Sequence, residues 1–301
     1  MKIAVTGSYS YSGKYITRRL LAQGDEVITL TSHPNRPDPF NGKVKAFPLD
    51  FDVTGMARTL DGVDTLYNTY WVRFDHGANT QLRAVENTAR LVQAAKDSGV
   101  RRIVHISITN PSMDSPLPYF RGKALNEQVV RESGLFYGIL RPTVLFGTED
   151  ILINNIAYLL RRFPVFALPG EGNYRLQPIF VDDLAELALA AGAQNENLLW
   201  DAVGPDIFSF KEMTHLIGEC IGFTRPLIAV SPALALAASK IISAFVGDVV
   251  LTQDEVDGLM AGLLVSRQPP LAKTHLGDWL RTNKDSVGMC YASELERHYQ
   301  F

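Results

Sequence analysis

Short apolar runs alternate with amphipathic segments over the first two thirds of the chain. Runs rich in β-branched and aliphatic residues predict six strands, at residues 2–6, 26–31, 44–49, 64–69, 102–107 and 136–140. Apolar residues spaced three or four apart predict helices between them, at residues 13–23, 79–98 and 122–133. This alternation indicates βαβ units with right-handed crossovers and a sheet covered on both faces. We therefore expect an α/β fold with a Rossmann-type doubly wound parallel sheet.

The pattern loosens after Pro142 and becomes mostly helical beyond Asp206. Further elements are expected as a helix at 151–162, a strand at 174–181, a helix at 183–191 capped by Asp182 and Asp183, and helices at 209–221, 232–246, 252–265 and 292–299. We expect a dinucleotide-binding domain over residues 1–170 and a smaller, mostly helical, substrate-side lobe over residues 171–301. The strand at 174–181 and the helix after it are expected to pack back on the main domain.

One long apolar stretch, residues 227–250, raises the question of a membrane span. Pro232, Ser239, Lys240 and Asp248 interrupt it, so no continuous apolar run approaches the ~20 residues that a span requires. The stretch therefore predicts a buried helix and no integral membrane segment. A peripheral membrane contact is the alternative that this composition leaves open.

Composition and charge narrow the class of protein further. The 301 residues are 46% hydrophobic and 20% charged with a net charge of −3, which is typical of a globular enzyme. No basic block is present, so nucleic acid is not expected as a partner. We expect Cys220 and Cys290 to be free thiols. The histidines do not have the spacing of metal ligands, so no metal is expected, and His105 is expected in the core. The strand pattern begins at the amino terminus, so we expect no leader and a cytoplasmic location.

A glycine-containing turn joins the first strand to the first helix. Gly7 permits a tight turn, and Gly13 lets the helix pack close to the strand. The amino terminus of the helix then offers free N–H groups and a positive dipole end to a pyrophosphate. Ser10 replaces the middle glycine of the usual three, and its hydroxyl can donate to a phosphate. We expect Gly7, Ser10, Tyr11 and Gly13 to contact a dinucleotide, against the alternative of a plain strand-turn-helix with glycines for packing.

Several motifs occur in a familiar order along the chain. They are TGSYSYSG at 6–13, LDFD at 49–52, DGVD at 61–64, ENT at 86–88, LRP at 140–142, FG at 146–147 and FVDDL at 180–184. Together they resemble the extended and atypical short-chain dehydrogenase/reductases, a group similar to NAD-dependent epimerases and dehydratases. LTQDEV at 251–256 resembles relatives of the nucleotide-binding accessory subunit of respiratory complex I. The resemblance implies that Asp50 and Phe51 lie at the adenine and that Asn87 supports a catalytic lysine through water.

The end of the second strand bears on the choice of cofactor. An acidic residue there would bind the ribose 2′-hydroxyl of NAD, but none is present. His33 and Arg36 can instead receive a 2′-phosphate, so NADP is favoured over NAD, unless this is only a solvated, proline-shaped loop. Asn68 and Thr69, after the fourth strand, are expected beside the cofactor. Tyr70 and Trp71 follow them and can flank the nicotinamide, although aromatic residues there are as often packing.

A Tyr-x-x-x-Lys pair after the fifth strand is the candidate catalytic group. Tyr119 and Lys123 lie on one helical face, where a cation lowers the phenol pKa and suits it to exchange a proton with a carbonyl or alcohol. Ser107, or Thr109 as the alternative, can hydrogen-bond the substrate oxygen. An ordinary pair at a helix start remains the alternative reading of Tyr119 and Lys123.

Three functions fit this sequence. The first is an NAD(P)-dependent oxidoreductase or epimerase acting on a small carbonyl or sugar-like substrate. The second is a non-catalytic NAD(P)(H)-binding sensor or assembly protein with a protein partner or a homodimer. The third, a sugar-nucleotide enzyme in the strict sense, needs cations for a diphosphate, and the available ones are Arg141, Arg161, Arg162 and Arg175.

Overall fold

The computed structural model describes residues 1–75, 77–237 and 253–293. The strands are β1 (Lys2–Thr6), β2 (Glu26–Thr31), β3 (Lys45–Pro48), β4 (Thr65–Asn68), β5 (Arg102–Ile106), β6 (Phe136–Pro142), β7 (Leu145–Phe146), β8 (Phe166–Pro169), β9 (Arg175–Leu176), β10 (Ile179–Phe180), β11 (Leu198–Ala202), β12 (Phe208–Ser209) and β13 (Leu227–Val230). The helices are α1 (Tyr11–Ala22), α2 (Val53–Thr59), α3 (Gln81–Asp97), α4 (Pro118–Arg131), α5 (Leu152–Arg162), α6 (Val181–Gly192), α7 (Phe210–Ile221), α8 (Gln253–Met260) and α9 (Leu276–Asn283).

A seven-stranded parallel sheet forms the first of two compact units. The strand order is β11-β6-β5-β4-β1-β2-β3, so the predicted Rossmann-type sheet is confirmed. The central strands β1, β4 and β5 are buried along almost their whole length, as expected of a sheet with helices on both faces. The strand order reverses between β1 and β4. In open α/β sheets, ligands bind in the crevice at the carboxyl ends of strands at such a point.

The boundary between the units differs from the one expected near residue 170. The first unit comprises Met1–Pro142 and Val181–Ala202, and the second comprises Thr143–Phe180 and the described residues from Val203 onward. The chain returns to the first unit because α6 packs beside α1 and β11 extends the sheet next to β6. Asp182 lies within the first turn of α6 and binds Arg19 of α1 through two hydrogen bonds of 2.8 and 2.9 Å, so it is not the predicted cap.

The second unit has its own core of aromatic and aliphatic side chains from α5, α7, α9 and the short strands. The buried Gln177 ties this unit together, because its side chain donates to the Gly204 carbonyl at 2.9 Å and accepts from the Ser266 amide at 3.0 Å. The expected strand at 174–181 is interrupted and forms the separate short strands β9 and β10.

The prediction of one helix over residues 227–250 is wrong at its start. Residues Leu227–Val230 form β13, which pairs in parallel with β8. Pro226 and Pro232 bracket this run and leave a length typical of a strand. Residues 238–252 and 294–301, which include most of the helices expected at 232–246 and 292–299, lie outside the described residues. None of the described helices is long and apolar enough to cross a membrane.

Candidate functional site

The turn after β1 brings the start of α1 very close to the strand. Gly7 has a φ of +68°, which favours glycine, and its amide donates to the Leu30 carbonyl of β2 at 2.9 Å. A Cβ at Gly13 would overlap the Gly7 carbonyl oxygen. Only glycine at position 13 therefore allows α1 to begin at this distance from the strand, which is the cradle that a dinucleotide pyrophosphate requires.

Ser10 stands at the amino cap of α1, and its hydroxyl has a different partner from the one predicted. The hydroxyl donates to the Gly7 carbonyl oxygen at 2.6 Å and makes no capping hydrogen bond to the described first turn. In an α-helix the first-turn amides have no intrahelical acceptors. The backbone N–H groups, rather than the Ser10 hydroxyl, are thus the donors that this turn offers to a phosphate. Tyr11 itself packs edge-on against Tyr15, with ring centroids 5.9 Å apart.

A hydrogen-bonded seam joins the carboxyl ends of β1 and β4. The Thr6 hydroxyl donates to Asn68 Oδ1 at 3.2 Å and accepts from the Thr69 amide at 2.8 Å and the Tyr70 amide at 3.1 Å. The Thr69 hydroxyl donates back to the Thr6 carbonyl at 2.6 Å. Asn68 is fully buried. The structure therefore uses Asn68 and Thr69 to fix the floor of the crevice, next to the Gly7 turn.

The residues predicted to select the cofactor lie on the loop after β2. The His33 amide donates to the Thr31 hydroxyl at 3.2 Å, and the Arg36 amide donates to the His33 carbonyl at 3.2 Å. Both side chains are half-buried. The backbone contacts hold the two side chains on one short turn of the chain.

The predicted adenine residues follow β3. Asp50 accepts a hydrogen bond from the Asp52 amide at 3.0 Å, and Phe51 takes a left-handed φ of 61°, which is uncommon for a bulky residue. The Phe51 ring packs on Tyr70 with centroids 4.9 Å apart, and the Asn87 amide donates to the Tyr70 hydroxyl at 3.0 Å. Asn87 thus binds an aromatic pair beside β4, and its expected support of Lys123 through water stays a prediction.

Tyr119 and Lys123 share one face of α4, as their spacing predicts. The Lys123 Nζ lies 5.9 Å from the Tyr119 ring centroid and donates to the Ile106 carbonyl at the end of β5, at 3.0 Å. The Lys123 side chain is only 3% exposed. Burial lowers the pKa of its ammonium to about 7, although the Glu127 carboxylate opposes this shift. Near neutral pH, a small change in surroundings therefore changes the charge of Lys123.

Ser107 is committed to a buried ion pair. Its hydroxyl donates to Glu127 Oε1 at 2.6 Å, and Arg141 holds both Glu127 oxygens, at 2.8 and 2.6 Å. The Thr109 hydroxyl is engaged as well, by the carbonyl oxygens of Arg141 and Pro142. In this structure Glu127 and the β6 carbonyls accept the protons of both hydroxyls, and a contact of Ser107 or Thr109 with a substrate oxygen stays a prediction.

Buried polar groups also line β5 next to Lys123. His105 Nδ1 lies 3.1 Å from the Asn68 side-chain nitrogen, and since the amide donates, the proton of the neutral ring is on Nε2. That Nε2 is buried and finds no partner within the described part of the chain. Burial, with the Lys123 charge second, lowers the pKa of His105 to about 3, so the ring is neutral. Across the described residues no group of three or more His, Cys, Asp or Glu could hold a metal ion.

Trp71, which was expected either to flank the nicotinamide or to pack in the interior, contacts α4. Its indole lies over Gly122, where a Cβ would come within 2.6 Å of Cη2. The indole ring meets Tyr119 edge to face with centroids 5.7 Å apart, and Lys123 Nζ lies 4.8 Å from the indole centroid. A glycine between Tyr119 and Lys123 is the one signal in the sequence that points to a bulky neighbour.

Sequence comparisons relate part of this chain to known proteins. The sequence profile of the NAD(P)H-binding family matches residues 7–155. Subunit 9 of the NADH dehydrogenase (ubiquinone) 1 alpha subcomplex, mitochondrial, from Arabidopsis thaliana, is 23% identical over 232 residues, which cover 72% of this chain and 57% of that protein. The Mus musculus protein of the same name is 34% identical over 141 residues, which cover 45% of this chain and 36% of that protein. The matches span less than two thirds of either relative.

Solved structures share the fold over almost the whole chain. The NADPH-dependent quinone oxidoreductase QOR2 of Escherichia coli, complexed with NADPH, has a TM-score of 0.74 and 19% identity, covering 93% of this chain and 99% of that one. MoeE5 in complex with UDP-glucose and NAD has a TM-score of 0.70 and 19% identity, covering 95% and 98%. The expected resemblance to NAD(P)-binding, epimerase-like proteins is confirmed in the fold that these structures share with this chain, and residues 7–155 are similar to the NAD(P)H-binding family.

The burial of Lys123 predicts a pH-dependent stability. The folded pKa of about 7 lies below the usual 10.5, so the unfolded chain binds more protons between these values and stability rises with pH across this window. Lys123→Met removes the buried ammonium. We expect it to raise the free energy of unfolding relative to wild type by up to about 4 kcal/mol at pH 6, and by clearly less at pH 9.

Urea unfolding at the two pH values measures this difference. Lys96→Met, at an exposed position on α3, serves as the control and should change stability by less than about 0.5 kcal/mol. An equal gain from Lys123→Met at pH 6 and pH 9 would show that the ammonium is not buried as described.

Proposed function

We propose that this protein is an NAD(P)-dependent oxidoreductase that uses Tyr119 and Lys123 as an acid/base pair on a small carbonyl or sugar-like substrate. The main support is the position of Lys123 Nζ, which lies 5.9 Å from the Tyr119 ring centroid. Both residues are on α4, the helix that follows β5 of the Rossmann-type sheet. The shared fold of NADPH- and NAD-complexed structures supports a nicotinamide cofactor. An epimerase or dehydratase reaction would use the same pair.

The chemistry assigned to the chain is proton transfer. A bound nicotinamide cofactor supplies or accepts the hydride at the substrate carbon. The Tyr119 hydroxyl gives its proton to the carbonyl oxygen during reduction and takes it back from the alcohol during oxidation. Lys123 favours the phenolate form of Tyr119 while its ammonium is charged, below a pH of about 7. Ser107 is left out of this set because its hydroxyl binds Glu127.

The phosphate-facing residues of the proposal are Gly7, Gly13 and the first-turn amides of α1. Asn68 and Thr69 form the floor of the crevice, and Asp50 and Phe51 are proposed at the adenine. Because no carboxylate ends β2, we propose NADP as the preferred cofactor, with Arg36 and His33 toward the 2′-phosphate and NAD as the alternative.

Replacing Arg36 tests the cofactor preference. Arg36→Ala is expected to weaken NADPH binding by about tenfold, because one charge-assisted hydrogen bond is lost, while NADH binding changes less than about twofold. Calorimetric titration measures both affinities. Arg58→Ala, an exposed arginine on α2, is the control and should change neither. Equal weakening of both cofactors by Arg36→Ala would argue against a 2′-phosphate contact.

Removing the Tyr119 hydroxyl tests the reaction. Tyr119→Phe is expected to lower kcat for NADPH-dependent reduction of an aldehyde by at least about a hundredfold, because the proton donor is lost while the ring remains. NADPH affinity should stay within about threefold of wild type, since the phenol is not among the phosphate-facing groups. Tyr137→Phe, on β6, provides a matched control with unchanged kcat. Full turnover by Tyr119→Phe would contradict the assignment.

A non-catalytic NAD(P)(H)-binding sensor or assembly protein is the second candidate. Two observations favour it: the Ser107 hydroxyl binds Glu127, and relatives are named as a subunit of NADH dehydrogenase (ubiquinone). This function predicts cofactor binding without turnover of any carbonyl compound, and a protein partner or a homodimer. Wild-type turnover that depends on Tyr119 would exclude it.

A sugar-nucleotide substrate in the strict sense has weaker support. Three of its four candidate arginines already have structural partners: Arg141 binds Glu127, Arg161 donates to the Val287 carbonyl, and Arg162 lies 4.4 Å from the Tyr158 ring centroid.

The cytoplasm remains our proposed location, since Cys220 and Cys290 are free thiols. The mitochondrial names of several relatives make another compartment the alternative.

A further inference from the structure

The indole of Trp71 touches both members of the proposed acid/base pair. It meets Tyr119 edge to face at 5.7 Å with an interplanar angle of 89°, and Lys123 Nζ lies 4.8 Å from its centroid. Edge-to-face aromatic pairs and cation–π contacts are both attractive, so the two contacts hold the ring in place. One side chain thus shapes the approach to Tyr119.

Gly122 makes this arrangement possible. A Cβ at that position would lie 2.6 Å from Trp71 Cη2 and 3.2 Å from Cζ2. The six-membered part of the indole therefore takes the volume that a side chain on α4 would otherwise fill. The indole thus lies over the part of α4 that separates Tyr119 from Lys123.

The indole N–H is a donor that still lacks an acceptor. Trp71 Nε1 is buried, and it finds no hydrogen-bond partner among the residues that the structure describes. A buried donor without an acceptor destabilises a fold, and such atoms are rare in folded proteins. A substrate carbonyl oxygen is an acceptor of the kind that this donor lacks, and the hydroxyls of Ser107 and Thr109 are bound elsewhere.

We propose that Trp71 determines the substrate class at Tyr119, and that this class is flat, conjugated carbonyl compounds rather than saturated rings such as pyranoses. This inference rests on the proposed function. An aromatic side chain beside the proton donor packs more closely on a flat π-system than on a puckered ring, which favours flat substrates there. The indole N–H then binds the substrate oxygen that receives the Tyr119 proton.

Two matched aldehydes test the selection by shape. Benzaldehyde is flat and cyclohexanecarbaldehyde has the same carbon skeleton in a chair. Reduction converts each to its alcohol as hydride reaches the carbonyl carbon, a proton reaches the oxygen, and NADPH becomes NADP⁺. Wild type is expected to prefer benzaldehyde in kcat/KM by at least about tenfold, and Trp71→Ala to reduce that preference to about twofold. Trp71→Phe should keep the preference, because an aromatic side chain remains.

Two further variants distinguish an effect of the Trp71 indole from a general loss of stability. Gly122→Ala is expected to displace the indole and to lower the preference in the same direction as Trp71→Ala. Trp200→Ala removes another half-buried tryptophan, on β11, and should leave the preference unchanged. The wild-type preference persisting in Trp71→Ala, or a wild-type preference for cyclohexanecarbaldehyde, would overturn the inference.

A binding measurement separates this inference from the proposed function. Benzamide and cyclohexanecarboxamide carry the same carbonyl acceptor but are not reduced, and calorimetry on the NADP⁺ complex compares their affinities. Tighter binding of benzamide that is lost in Trp71→Ala supports the role of Trp71 even if wild type turns over neither aldehyde, in which case the proposed function alone fails. Turnover of both aldehydes with equal kcat/KM would contradict the role of Trp71 but would still support the proposed function. Neither turnover nor selective binding removes both.

Discussion

The close approach of Gly13 to the Gly7 carbonyl is the constraint on which the rest of the candidate site depends. Because no Cβ fits there, α1 begins directly beside β1, and its first-turn amides lie at the edge where the strand order reverses. The Thr6 hydroxyl fixes the neighbouring end of β4 through Asn68 and Thr69. A crevice for a diphosphate therefore follows from two glycines and one buried threonine, before any side chain contacts a ligand.

The same edge of the sheet holds buried charged and polar groups that tend to lower the stability of the fold. Lys123 is buried with a pKa near neutrality, and Glu127 is buried between Arg141 and Ser107. Burying charges seldom stabilises a fold compared with apolar packing. The concentration of these buried charged groups on α4 and at the ends of β5 and β6 therefore favours a chemical role. Trp71 packs beside them and contacts both Lys123 and Tyr119.

The sequence predicted local features well and contacts between distant segments poorly. The buried strands β1, β4 and β5 were predicted to within about two residues, since continuous apolar runs bounded by polar turns carry a strong signal. The short helix α2 and the two-residue strands β7 and β12 were missed because elements this short repeat their hydrophobic period too few times to form a recognisable pattern. The partner of Ser107 could not be predicted, since Glu127 lies on the next helix and only the fold brings it within 2.6 Å. The contact of Trp71 with Gly122 is likewise visible only once β4 and α4 are side by side.

Calorimetric titration of the full chain with NADPH, NADH and nicotinamide mononucleotide tests the central claim most directly. If the first-turn amides of α1 hold a diphosphate, at least one dinucleotide binds with a stoichiometry of one per chain. The mononucleotide, which lacks the diphosphate bridge, then binds at least about a hundredfold more weakly. Uptake of neither dinucleotide, or equal affinity for the mononucleotide, would contradict the account.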